Sequence, residues 1–233
     1  MKKSIIIILC CAGLALVLGG CKNSGKKAET EETKAPEFAK TEQAKADSIA
    51  AAKQAELMDK IAQLPQEPVF DITTSLGVIS VKLYSDTPLH RENFEKLALT
   101  GYYDGLLFHR VIKGFMIQGG DPLTKDPTNK DRFGTGGPDF TVPAEILPNH
   151  LHKKGALAAA RRGDAANPKR ESSGSQFYLV QDPSTCSQLD GQYTVYGETV
   201  AGLDVIDKIA AVQTGPRDCP VNDVKIISVK LHE

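Results

Sequence analysis

The run Phe108-His109-Arg110-Val111-Ile112-Lys113-Gly114-Phe115-Met116-Ile117-Gln118-Gly119-Gly120-Asp121 decides how the whole chain is read. It predicts a strand, a tight turn at Lys113-Gly114, and a second strand stopped by a glycine pair. Alternation along the second strand sends Phe115, Ile117 and Gly119 to one face and Met116 and Gln118 to the other. On that pattern Phe115, Met116 and Gln118 cannot all face one pocket unless the strand end beside the glycines is twisted or bulged.

Outward from this hairpin the chain alternates short apolar runs with Gly, Pro, Asp and Asn. Upstream, Val69 to Thr74 and Val78 to Tyr84 flank a Ser75-Leu76-Gly77 turn and read as a hairpin. Thr87-Pro88 offers an N-cap followed by proline at N1, and Phe94, Leu97 and Ala98 supply an apolar stripe for a helix that Gly101 stops. Downstream, Leu203, Ile206, Ile209 and Ala210 mark a second helix. Val224 to Leu231 reads as a final strand with Lys225, Ile227, Val229 and Leu231 on one face. Many short strands with two helices argue for a closed barrel or a sandwich.

The first third has a different character. Lys2 and Lys3 precede an apolar run from Ile5 to Leu18, too short to span a bilayer comfortably, which ends at Leu18-Gly19-Gly20-Cys21. This reads as a lipoprotein signal peptide over residues 1–20, with Cys21 lipidated as the new N-terminus. Residues 21–66 are rich in Lys, Glu, Ala, Thr and Gln and read as a tether, with a helix over 41–64 carrying Ile49, Leu57, Ile61 and Leu64 roughly on one face. That helix is either docked on the domain or a partner, or a spacer. Pro65 and Pro68 end it, leaving 67–233 as the domain. The expected setting is the cell envelope, exported and lipid-anchored, periplasm-facing in a Gram-negative host.

The hairpin motif resembles the central motif of cyclophilins, the peptidyl-prolyl isomerases. Gly134-Thr135-Gly136-Gly137, Gly155 to Ala160, Ser173-Gly174-Ser175-Gln176-Phe177-Tyr178 and Leu189-Asp190-Gly191 extend the likeness in the family's order, over about residues 67 to 233. The resemblance implies a mainly β fold: a closed eight-stranded antiparallel barrel capped by two helices, with the groove outside the wall. It also implies an isomerase of prolyl bonds, and with the export signal its expected role is to assist the folding of exported proteins. A prolyl bond turns slowly because resonance stiffens it, over a barrier of about 18–20 kcal/mol. No bond breaks, so no cofactor and no metal is called for. A fixed cation donating to the prolyl nitrogen would localise its lone pair in the transition state.

By resemblance Arg110 is the catalytic arginine, and Gln118 orients it and contacts substrate. Phe115, Met116, Tyr178 and Leu189 wall the proline pocket. Ala160, Arg161 and Gln176 lie along the substrate backbone, and His109 and Tyr193 border the groove. Gln188 stands where eukaryotic members often carry tryptophan, and Tyr193 where they carry histidine. Arg161 replaces a typical asparagine, and the loop after it is longer than usual, so substrate preference is what these departures touch. Partners are proline-containing unfolded or flexible proteins and a membrane reached through the lipid. The formal net charge of −1 suggests no nucleic acid, and a monomer is expected. A non-catalytic proline-binding module is the competing class. Cys10 and Cys11 leave with the signal and Cys21 takes the lipid, so Cys186 and Cys219 remain as an even pair. In an oxidising compartment that pair invites a disulfide. His150 and His152 have the spacing of neighbours on one strand face, with no third metal ligand in sight.

Overall fold

The computed structural model describes residues 35–233, with side chains from residue 45 onward. The expected signal peptide, the lipidated Cys21 and the first part of the tether lie outside these residues. The chain divides into two units, Met1–Asp47 and Ser48–Glu233. α1 runs Ala35–Ala62, six residues ahead of the expected start. Pro36 does not prevent this, because the first turn of a helix has no partner for that amide anyway. Ile49 and Met58 are 58% and 50% exposed on it, so no continuous apolar stripe is covered. Leu64, just past its end, packs on the domain core.

The domain is one antiparallel sheet of eight strands: β1 (Val69–Thr74), β2 (Gly77–Leu83), β3 (Arg110–Ile112), β4 (Met116–Gly119), β6 (Ala156–Ala159), β8 (Phe177–Val180), β9 (Val195–Ala201) and β10 (Ile226–Leu231). Their order is β10-β1-β2-β9-β6-β8-β4-β3. A separate two-residue pair joins β5 (Thr141–Val142) to β7 (Ser172–Ser173). The sheet does not close, which corrects the expected closed barrel. Its edges β3 and β10 form no ladder. Between them lie the single bridge Leu107↔Lys225 and backbone bonds such as Ile226 N–H to the Leu106 carbonyl at 2.7 Å. Gly105 just upstream has φ +83°, so the chain facing β10 leaves the extended conformation after one bridge.

Two helices pack on this curled sheet, α2 (Pro88–Leu99) and α4 (Leu203–Ala210), with a one-turn α3 at Pro183–Cys186. The main core lies inside the curl, where Phe94 of α2 meets Phe70, Tyr103, Phe177 and Tyr196 edge-on or tilted. Ile206 and Ile209 of α4 belong to the same core. The final strand departs from simple alternation. Register moves from Thr73↔Ser228 to Thr74↔Ile226, so Ile227 is bulged out, 52% exposed, and Ile226 and Val229 both face the core.

Thr87 precedes α2 as expected but does not cap it; its hydroxyl donates to the Tyr84 carbonyl. The Glu145 carboxylate takes that role from 55 residues away, accepting the amides of Leu89 at 3.0 Å and His90 at 2.9 Å. It also meets His90 Nδ1 at 2.7 Å. Burial pushes the Glu145 pKa up, but hydrogen bonds from His90 and the two amides outweigh it and hold the group below its ordinary 4.5. A depressed carboxylate stabilises the fold above its unfolded pKa and loses that contribution as pH falls through the folded value. Glu145→Gln is therefore expected to cost about 1–2 kcal/mol at pH 7. The difference from wild type should shrink as the pH drops below about 4.5. Urea melts of both proteins at pH 7 and pH 3.5 check this; a gap that persists undiminished at pH 3.5 contradicts it.

Candidate active site

Sheet register sets the site. Arg110 pairs with Gln118, Gln118 with Tyr178, and Tyr178 with Ala158, so one row of cross-strand neighbours runs over β3, β4, β8 and β6. Alternation carries Val111, Ile117, Leu157, Phe177 and Leu179 to the inner core. Met116, Ala156, Ala158, Tyr178 and Val180 face outward and form a second apolar cluster with Cys186 and Val195. β6 and β8 are thus buried on both faces. Phe115, Ala160, Leu189 and Tyr193 pack on this outer cluster while staying partly open.

The conflict over Phe115 resolves in the turn. Ile112 pairs with Met116, so Lys113, Gly114 and Phe115 are all loop residues, and Phe115 N–H closes the turn on the Ile112 carbonyl at 3.1 Å. Strand alternation does not govern a loop residue, and Phe115 joins Met116 on the outer face. The result is a cavity of about 120 Å³ lined by Arg110, Phe115, Met116, Gln118, Ala160, Arg161, Tyr178, Leu189 and Tyr193. Nine of the eleven expected site residues meet there. A wider groove of about 810 Å³ adjoins it, sharing Gln118, Ala160 and Arg161 and adding Gln176, Gly134 to Thr141 and the loop to Glu171.

Two expected residues sit elsewhere. Gln176 is buried and anchors the groove wall: its amide donates to the carbonyls of Gly134 and Gly136 at 3.1 and 2.7 Å and accepts from Gln118 at 2.9 Å. Gln118 therefore reaches toward Gln176, while Arg110 Nε forms its ion pair with Asp218 at 3.6 Å. His109 is buried, 4% exposed, with no hydrogen-bond partner at either ring nitrogen. Burial pushes its pKa down to about 4, so it is neutral near pH 7. Arg161 lines the pocket, but its own bonds are taken: it lies over Tyr193 at 4.3 Å and reaches Asp164 at 2.6 Å and the Gln192 carbonyl at 3.1 Å. Asp164 holds Arg170 as well, at 2.9 Å, which folds the long loop back on itself.

The sequence reading missed two acids. Asp121, fully buried, accepts amides of Leu123, Gly134 and Gly136 and so fixes the glycine-rich wall. Its place at the end of the motif was the available signal. Asp218 had none, being remote from Arg110 in the chain. The expected disulfide is not formed: Cys186 and Cys219 are both free. α3 buries Cys186 in the outer cluster, where its thiol donates to the Phe115 carbonyl at 3.4 Å. Cys219 instead lines a separate cavity with His109, Arg110 and Asp218. Burial pushes the Cys186 thiol up to about 11. Peptide-level alkylation near pH 8 should label Cys219 in the native protein and Cys186 only after unfolding. Recovery of a disulfide-linked peptide pair would contradict this. His150 and His152 also part company, His150 going to Asp86 and Tyr84 and His152 to Asp190 and Tyr178.

The family profile described as cyclophilin type peptidyl-prolyl cis-trans isomerase matches residues 69–231. The chain belongs to that family and is an enzyme of that class. Peptidyl-prolyl cis-trans isomerase-like 1 of Homo sapiens is 36% identical over 163 residues, covering 70% of this chain and 91% of that protein. A cyclophilin type peptidyl-prolyl cis-trans isomerase from Cryptosporidium parvum superposes with TM-score 0.63 and 28% identity, covering 72% of this chain and 98% of that one. A second structure of it, determined in the presence of the dipeptide Ala-Pro, gives TM-score 0.62 at 28% identity, over 71% of this chain and 99% of that one.

Proposed function

We propose that the outer-wall pocket takes the proline ring of a substrate and that Arg110 donates to the prolyl nitrogen as the bond turns. The carrying observation is that Arg110 and the apolar side chains of Phe115, Met116, Tyr178 and Leu189 line one cavity. The guanidinium offers a planar fork of donors, and its Nε lies 3.6 Å from the Asp218 carboxylate at the pocket edge. Donation there pyramidalises the nitrogen and removes amide conjugation, so the barrier falls without a covalent step. The groove beside the pocket holds the flanking peptide, with Ala160 and the glycine wall along its course. Support also comes from the structural neighbour determined with Ala-Pro.

Lys2, Lys3, the Ile5–Leu18 run and Cys21 are the marks of an exported lipoprotein, with α1 as the spacer between anchor and enzyme. Clients are then proline-containing unfolded or flexible proteins outside the cytoplasm. Among the described residues no helix is long and apolar enough to cross a membrane. Two measurements test the reading. Exchange NMR on a short proline peptide should show catalysis, and mass spectrometry of the native N-terminus should show lipid-modified Cys21; an unmodified N-terminus elsewhere overturns the anchor.

A further inference from the structure

Behind the pocket lies a chain of side chains that prolyl isomerisation as described does not use. His152 is 2% exposed. Its Nδ1 lies 2.7 Å from Asp190 Oδ1 and its Nε2 lies 2.8 Å from the Tyr178 hydroxyl. Asp190 also accepts the His152 backbone amide at 2.8 Å. The imidazole is nearly parallel to the Tyr178 ring, with an interplanar angle of 8°. Tyr178 is one wall of the pocket, and Leu189, the residue before Asp190, is another. One histidine thus ties two walls together from the buried side.

Proton placement follows from the partners. An ionised carboxylate only accepts, so Nδ1 carries the hydrogen and donates to Asp190. That leaves the Nε2 lone pair free to accept from the phenol, which burial keeps protonated by pushing its pKa well up. Were His152 an imidazolium, Nε2–H would donate to the phenol oxygen instead, reversing the bond and leaving the buried Tyr178 hydrogen without an acceptor. The charged and titratable groups around the pair are few. Asp190 faces His152, and Tyr193, Cys186, Arg161 and Asp190 act on Tyr178. Burial lowers the His152 pKa below its ordinary 6.5, against the opposing pull of Asp190.

We propose that His152, oriented by Asp190, is a positioning residue that holds the Tyr178 ring as a wall of the proline pocket, so that affinity for proline peptides requires His152 to be neutral. The inference rests on the pocket assignment made above. Proline binding then weakens as pH falls through the His152 pKa, below 6.5. The ring touches substrate before and during rotation alike, so the brace acts on affinity more than on turnover.

The test uses the full chain and Tyr178→Phe, which keeps the ring and deletes the hydroxyl. Long-range nitrogen–proton NMR at pH 7 should show His152 protonated at Nδ1 and bare at Nε2. Its titration midpoint should move in Tyr178→Phe, because Nε2 loses its phenol partner in both protonation states. In the same samples, chemical-shift titration with a proline tetrapeptide should give about three- to tenfold weaker binding for Tyr178→Phe at pH 7.5, the size of one hydrogen bond. The wild-type loss of affinity as pH falls through the measured His152 midpoint should be absent in the variant. A hydrogen on Nε2, an unmoved midpoint, or a variant that binds like wild type at every pH overturns the proposal. Peptide binding with these signatures but no exchange catalysis overturns the isomerase mechanism and leaves the brace standing.

Discussion

Arg110→Ala is expected to lower kcat/KM for prolyl exchange by about 10²–10³-fold, the usual cost of deleting one preorganised donor to a transition state. The loss should fall mainly on kcat, because the contact matters most when the nitrogen is pyramidal. The fold should hardly notice. Arg110 sits on the edge strand β3 with its side chain 42% exposed, and its ion pair with Asp218 is of the open kind that contributes little. Stability should change by no more than about 0.5 kcal/mol. Arg110→Lys keeps the charge but loses the planar fork, and should recover only part of the rate. Exchange NMR with a thermal melt on each variant checks both halves. Near wild-type turnover in Arg110→Ala would rule out the mechanism.

Gly120→Ala should markedly destabilise the domain, although alanine adds one carbon. Gly120 follows β4 with φ +88°, and a Cβ there would lie 2.2 Å from the Ser175 carbonyl oxygen and 2.9 Å from Gln176 Cα. Both contacts are backbone, so neither can swing away. The Ser175 hydroxyl donates to the Gly120 carbonyl at 2.8 Å, so the two segments are also pinned together from the other side. Backbone strain plus displacement of this pair should cost about 3 kcal/mol or more. For a domain of this size that is a fall in Tm of about 6–12 °C. Activity should fall at temperatures where the protein is still folded, because Gln176 carries the glycine-rich wall and meets Gln118. A Tm within 2 °C of wild type would contradict the argument.

Much of this was written along the chain. Turn residues and period-two apolar runs placed β1, β2 and the motif hairpin, the Phe94-Leu97-Ala98 stripe placed α2, and the motif's likeness carried nine pocket residues to one cavity. These readings succeed because they depend on neighbours one to four residues apart, where period and turn chemistry act directly. They fail where contact is long-range. The sequence shows Phe115 in a strand's alternation, and only the Ile112↔Met116 register puts it in the turn. Alternation puts Ile227 and Val229 on one face of the last strand, and only the bulge in its pairing with β1 separates them, turning Ile227 outward.

Glu145 at the start of α2, Asp218 on Arg110 and His152 behind Tyr178 are joined across 55, 108 and 26 residues. No local pattern announces such bonds, since each depends on where two separately formed segments come to rest. The same holds for the cysteines. Their even number invited a bridge, but α3 turned Cys186 into the outer cluster while Cys219 went to the cavity beside Arg110. Closure of the sheet was decided likewise, by a turn at Gly105 that lets β10 meet its far neighbour at one bridge only. Composition and period chose the elements and the chemistry available to them. The meeting of distant segments chose which side chains hold the arginine, the groove wall and the tyrosine in place, because a hydrogen bond needs both partners within about 3 Å and only the folded chain sets that distance.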